Sequence, residues 1–373
     1  MGRFFELVTD PVRALAEPGD SSVPVHAPRS SLIRLNANES AYGPSPKAVA
    51  AVREALAIGH VYPDDASRAL REKLAGKHGV RPEQVLIANG TTALLGVIAR
   101  TLLRPGLKAL SSECSFISYP MVTAAAGAEF VTAPLRAGGY DLGAMLARVD
   151  RDTRVVFLAN PNNPTGTLVN AAAVDDFLAQ LPGHVILVLD EAYCDYAEYF
   201  SGRRGIAYSR AIEYVKDDRN VVVLRTFSKA HGLAGMRVGY SVAAEELTAY
   251  LARMQDLFAV SSLAQAAALA ALDDEQHVRR AVENNAEQLE WMRRELMSLG
   301  YRPLPSWTNF LMFDVGEDAR DFARRLRREG VLARPLGSWG APNCIRVTLG
   351  TAEQNRFFCS ALHKVRGGFP ASS

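Results

Sequence analysis

The sequence predicts an α/β protein: a mostly parallel sheet sandwiched by helices, followed by a smaller α+β unit. Three observations carry that expectation. Short runs rich in Val, Leu and Ile, namely "QVLIAN", "VVFLAN", "HVILVLDEAY" and "NVVVLRTFS", are bounded by polar or Pro/Gly residues, the pattern of strands buried on both faces. Helical periodicities such as "TTALLGVIARTLL" and "AAAVDDFLAQL" alternate with them. After about residue 245 the alternation stops. Two long helical patterns follow, roughly 245–272 and 276–299, and then the strand "NFLMFDV", the helix "DARDFARRLRREG" and the strand "CIRVTLG".

Taken in order, residues 1–35 read as an N-terminal arm, because "EPGDSSVPVHAPRSS" is too rich in Pro and Ser to sustain a helix. The arm is expected to pack on the small domain or on a partner subunit. Helical patterns in "PKAVAAVREALA" and "ASRALREKLAGKHG" open the large domain, expected over 36–245, with the small domain over 246–373.

Composition narrows the function classes. The 373 residues are 48% hydrophobic and 22% charged with a net charge of +2, so nothing points to nucleic acid or an anionic membrane as partner. No apolar run reaches the length of a membrane span, and acids interrupt "MGRFFELVTDPVRAL", which therefore does not read as a signal peptide. The four cysteines, Cys114, Cys194, Cys344 and Cys359, have no metal-ligand spacing and read as reduced thiols of a cytoplasmic protein. No metal site is expected.

Ligands of open parallel sheets bind beyond the carboxyl ends of the strands. Here those ends lead into "PNNPTG", into Asp190-Glu191-Ala192-Tyr193, into Thr226, Ser228 and Lys229, and into Gly90-Thr91-Thr92 at a helix start. Each group alone has an ordinary explanation as a turn, a helix cap or a surface lysine. Together they suit an aromatic aldehyde bearing a phosphate. An amine forms a Schiff base with a carbonyl, a carboxylate holds a ring nitrogen protonated, and hydroxyls, an arginine and helix-start N–H groups bind a phosphate. That set points to pyridoxal 5'-phosphate (PLP) as cofactor. The glycines at 232, 235 and 239 would give tight backbone turns beside it.

The stretches "LNANESAYGPSP", "VYPDD", "NGTTALL", "NPNNPTG", "DEAYCDY", "RTFSKAHGLAGMRVGY" and "ARPLGSWGAPNCIRVTLGT" carry a resemblance over nearly the whole chain. The sequence resembles the PLP-dependent aminotransferases of the aspartate-aminotransferase fold (fold type I), and among them the histidinol-phosphate aminotransferase family. The resemblance implies a seven-stranded sheet in the large domain. It implies Lys229 as the lysine that binds PLP and moves the proton, with Asp190 on the pyridine nitrogen and Asn163 and Tyr193 on the ring hydroxyl. Gly90, Thr91, Thr92, Thr226, Ser228 and Arg237 would surround the phosphate, and Phe116 would stack on the ring. Tyr62 would reach the phosphate from the other subunit of a homodimer with shared sites. Arg346 would clamp the substrate carboxylate, and Arg334, on the loop before that strand, would take a second anion.

The partners implied are a small-molecule amino donor and a 2-oxo acid acceptor, in histidine biosynthesis. The segment "VRALAEPGDSS" lacks the tyrosine that the family places before "LNANE", which keeps two other readings open. One is an aminotransferase for aromatic or specialised-metabolite donors, and the other is a decarboxylase of the threonine-phosphate decarboxylase type.

Overall fold

The computed structural model describes residues 7–13 and 32–366. Most of the expected arm, and most of the segment "VRALAEPGDSS", lies outside the described residues.

A seven-stranded sheet organises the first part of the chain. Its strands are β1 (Val85–Ala88), β2 (Lys108–Ser112), β3 (Glu129–Ala133), β4 (Thr153–Ala159), β5 (Ile186–Asp190), β6 (Val221–Thr226) and β7 (Gly239–Ala243). Their spatial order is β1-β7-β6-β5-β4-β2-β3. All neighbours run parallel except β7, which is antiparallel to both β1 and β6.

Alternate residues of the central strands serve opposite faces, as the pleat requires. Val156, Leu158, Leu187, Leu189, Val221 and Val223 enter one core, with helices Pro46–Ala55, Arg68–His78 and Ala171–Gln180 above it. Val155, Phe157, Val188, Val222 and Leu224 enter another, under helix Thr91–Leu102. Each such side chain contributes about 1.5–3 kcal/mol by leaving water. This two-sided burial is why the apolar runs are continuous rather than alternating. Strands β2, β3 and β7 lack that signature. β2 reads "KALSS", and its buried Ser111 is tolerated because its hydroxyl donates to the Phe157 carbonyl at 2.9 Å.

The second unit is built on a three-stranded antiparallel sheet of β8 (Phe310–Asp314), β9 (Arg334–Leu336) and β10 (Ala341–Thr348), with β10 in the centre. Helices Glu275–Ser298, Ala319–Arg328 and Ala352–Arg366 pack on it. Arg334 therefore stands in a strand, not on the loop the sequence suggested, and it pairs across the ladder with Arg346. The expected helix over 245–272 is two helices, Glu245–Ala252 and Ser262–Leu272. Phe258 takes a left-handed backbone (φ 55°) between them, and the Ser261 side chain caps the second by accepting from Ala264 N. That second helix is rich in alanine and packs closely along helix Pro46–Ala55 in the core of the large sheet. The core of the second unit takes over only from Val282, and it also borrows Leu35, Tyr193, Tyr196 and Phe200.

Candidate active site

Strands β4 and β5 end level, Ala159 pairing with Asp190, while β6 runs two residues past the Leu224 that pairs with Asp190. The loops leaving these ends open into a cleft of about 870 Å³ between the large sheet and β9–β10. Thr91, Thr92, Phe116, Asn163, Asp190, Tyr193, Thr226, Ser228, Lys229, Arg237, Arg334 and Arg346 all line it. Residues predicted from separate stretches of sequence are thus brought together.

Lys229 lies at the centre and is half-buried. Its Nζ is 3.5 Å from the Ala37 carbonyl and 5.6 Å from the centre of the Tyr193 ring. Burial, then the positive charge of Arg346, pulls its pKa down to about 8. An unprotonated, nucleophilic fraction therefore exists near neutral pH. The loop holding this lysine is locked from behind. Gly232 has φ 71°, and a Cβ there would come within 1.9 Å of the Gly43 carbonyl oxygen. Gly235 faces open space and has no positive φ, so the tight turn expected there does not call for glycine.

Asp190 is 4% exposed and accepts a hydrogen bond from Tyr119 Oη at 3.0 Å through Oδ2. Its Oδ1 is buried without a partner among the described residues. Burial raises the Asp190 pKa to about 6, against the opposing effect of the Tyr119 hydrogen bond. Tyr193 accepts from Asn38 Nδ2 at 2.8 Å and packs edge-on against Phe310. Its phenol is pushed up to about 12, chiefly by burial.

Helix Thr91–Leu102 begins without a side-chain cap, so its first N–H groups point free toward the cleft. Arg237 lies across this helix start. A Cβ on Gly90 would come to 2.7 Å from Arg237 Nη2, and one on Gly239 to 3.0 Å from Thr91 N. Only glycine lets the guanidinium and the helix end share that space.

At the other wall Arg346 donates through Nη1 to Asn163 Oδ1 and through Nη2 to the Asn36 carbonyl at 3.2 Å. Its Nε has no partner among the described residues. Arg334 donates through Nε to the same Asn36 carbonyl at 3.4 Å. Burial brings the Arg346 pKa down to about 10, and Arg334 adds to that effect.

Tyr62 is not in this cleft. It is 78% exposed and stacks on Phe258 with ring centroids 4.4 Å apart.

Several contributors were not singled out from sequence. Asn36 and Asn38 sit in "LNANE", a stretch whose members carried no assigned role, and they orient Arg334, Arg346 and Tyr193. Tyr119 follows Phe116 by three residues in "SFISY", and that spacing was the only available signal.

The chain matches the family model for aminotransferases of class I and II over residues 30–362. That family claims this chain. It belongs to the class I and II aminotransferases, in the histidinol-phosphate aminotransferase family. One relative is histidinol-phosphate aminotransferase 2 of Pseudomonas fluorescens (strain Pf0-1), 42% identical over 366 residues, covering 94% of this chain and 97% of its own. The enzyme of the same name from Methylococcus capsulatus is 43% identical over 340 residues and covers 90% of both chains. The crystal structure of histidinol-phosphate aminotransferase from Sinorhizobium meliloti in complex with pyridoxal-5'-phosphate superimposes with a TM-score of 0.88, at 31% identity over 98% of each chain. The fold is thus fold type I, as the sequence predicted, and the chain is an aminotransferase.

The residues present fit PLP. Asp190 keeps an unpartnered oxygen for a protonated ring nitrogen. Gly90 leaves room for Arg237 at an uncapped helix start, where a phosphate belongs. Phe116 lines the same space as an aromatic wall, and among the described residues Lys229 has only one long hydrogen bond to give up.

Proposed function

We propose that this aminotransferase takes nitrogen from histidinol phosphate and gives it to 2-oxoglutarate, with PLP on Lys229 as cofactor. The observation that supports the substrate most is the pair Arg334 and Arg346. They stand directly opposite each other on β9 and β10, and like charges so placed repel. No carboxylate among the described residues offsets either one, and Arg346 is only 5% exposed. A buried guanidinium beside a half-buried one, with no counter-charge among the described residues, calls for an anionic ligand. Histidinol phosphate carries its phosphate on the carbon where glutamate has its α-carboxylate. Arg346 therefore meets either group in turn, and Arg334 adds the second positive charge that a phosphate dianion draws on.

The residues divide the work as follows. Arg237, Ser228, Thr91, Thr92 and the N–H groups of the helix start hold the cofactor phosphate. Thr226 braces that loop, its hydroxyl accepting from Ser228 N at 3.1 Å. Tyr193 and the Asn163 amide nitrogen bind the ring oxygen, while Asn163 Oδ1 stays with Arg346. Asp190, oriented by Tyr119, accepts from the ring nitrogen. PLP, when bound, supplies the electron sink that makes a proton at the substrate α-carbon removable. Lys229 Nζ would take that proton as a base and give it up again as an acid, and its lowered pKa suits both directions.

We read the protein as a homodimer with shared sites. Leu56, Ile58, Val61, Tyr62, Leu257 and Phe258 leave apolar surface exposed around the Tyr62–Phe258 stack. Tyr62 would then serve the neighbour's cofactor phosphate.

The test is kcat/KM for histidinol phosphate, phenylalanine and tyrosine, in wild type and Arg334→Ala. Histidinol phosphate should be preferred. A charge-assisted bond is worth about 1.5–3 kcal/mol, so the variant should lose roughly 10- to 150-fold on the phosphate donor and spare the aromatic ones. A wild type that prefers phenylalanine or tyrosine would overturn the substrate assignment. An equal loss on all three would make Arg334 a structural residue.

A further inference from the structure

The inner cleft uses Lys229, Asp190, Arg237, Arg334 and Arg346. Its rim carries charge that none of those roles needs. Helix Ala319–Arg328 turns Arg320, Arg324 and Arg327 to the cleft, the i, i+4, i+7 spacing of a single helix face. All three are exposed. Arg324 is paired with Asp321 one turn earlier. The side chains of Arg320 and Arg327 have no hydrogen-bond or ion-pair partner among the described residues. Arg320 extends over the turn that carries Trp339, for a Cβ on Gly337 would lie 3.6 Å from its Nε and Nη2. The acids lining the cleft are Glu39 and Asp190, and neither lies on this helix.

Like charges repeated at i, i+4 weaken a helix. A chain with a net charge of only +2 nonetheless concentrates Arg237, Arg320, Arg324, Arg327, Arg334 and Arg346 around one opening. Exposed arginines add little to the energy of a bound state, but a charged rim on a low-dielectric cleft raises the rate at which an opposite charge enters. A phosphate monoester dianion feels that field twice as strongly as a monoanion does.

We propose that Arg320 and Arg327 form an outer station for the phosphate dianion of the amino donor, capturing it before it passes inward to Arg334 and Arg346. This rests on the reading that the donor is phosphorylated. The station acts on encounter and not on the chemical step.

The experiment is a stopped-flow single turnover of the PLP-loaded enzyme, read at the cofactor absorbance, against histidinol phosphate and against unphosphorylated histidinol. Ionic strength is varied between 0.01 M and 0.1 M. For an encounter about 8 Å from each guanidinium, screened attraction predicts that Arg320→Gln/Arg327→Gln lowers the second-order rate constant for histidinol phosphate about 5-fold at 0.1 M and about 15-fold at 0.01 M. The loss should fall on that constant and not on the saturated rate, and the salt dependence should flatten. Arg320→Lys/Arg327→Lys keeps the charges and should keep the wild-type salt dependence. Arg328→Gln removes an exposed charge of the same helix from outside the cleft lining and should change both far less. Histidinol, a cation with no phosphate, should lose no rate with any variant. A wild-type rate and salt slope in the glutamine variant overturns the station alone, as does an equal loss on histidinol. A wild type that does not react with histidinol phosphate overturns both the station and the substrate assignment.

Discussion

Asp190→Asn should make the apoenzyme more stable and the holoenzyme nearly inactive. In the apo chain the carboxyl is buried, keeps one oxygen without a partner and has its pKa raised from 3.8 to about 6 by desolvation. Each tenfold change in a proton equilibrium is worth about 1.36 kcal/mol, so holding this group ionised at neutral pH costs the fold about 3 kcal/mol. The sign follows from proton counting. Below about pH 4 folded and unfolded chains both carry the proton, and the group contributes nothing. Between about pH 4 and 6 the unfolded chain has released it and the folded chain has not, so stability falls as pH rises. Above about pH 6 the full cost is present. Asparagine keeps the shape and can still accept from Tyr119, and it removes the charge. Urea unfolding of both apoenzymes, at fixed protein concentration across pH 4 to 8, should show Asp190→Asn more stable by up to about 3 kcal/mol at pH 7. The difference should vanish near pH 4. Turnover should fall roughly 10²-fold or more, about 2.7 kcal/mol in the barrier, because the ring nitrogen loses its counter-charge. A variant that is no more stable at pH 7, or whose advantage is independent of pH, would refute the buried-charge account. Wild-type turnover would reduce Asp190 to a structural residue.

Two further perturbations probe the same framework. Tyr119→Phe removes the 3.0 Å hydrogen bond that holds Asp190 ionised, so the Asp190 pKa should rise and the acid limb of the kcat/KM profile should move to higher pH. At about 1.5–3 kcal/mol for a charge-assisted bond, the loss should be roughly 10- to 150-fold below pH 6 and shrink toward pH 9; a loss constant in pH would point to packing instead. Mixing inactive Lys229→Ala chains with inactive Tyr62→Ala chains should restore activity through hybrid dimers, since one of the two sites then has both residues intact. Hybrids that form by light scattering and stay inactive would rule out shared sites.

The legible part of this protein was what repeats or what does chemistry. The strands β4, β5 and β6 are uninterrupted Val/Leu/Ile runs because both their faces are buried, and their polar ends could be read as a ligand site before any coordinates. β2 and β3 were not visible, because serine, threonine and lysine in "KALSS" and "EFVTA" are accepted once neighbours satisfy them. The break at 253–261 was hidden because its cause is a backbone conformation at Phe258, and nothing in that residue type announces a left-handed turn. Arg334 read as a loop residue, yet it stands in an edge strand of the small sheet where Pro335 is tolerated. Tyr119, Asn36 and Asn38 act through other residues, and such support depends on distances that exist only after folding.

The central claim is that the amine at the end of β6 carries the cofactor, and borohydride reduction of the PLP-loaded enzyme followed by peptide mapping tests it most directly. The label is predicted on Lys229 alone, with none on Lys229→Ala chains. Label recovered on any other lysine, with Lys229 unmodified, would contradict the account.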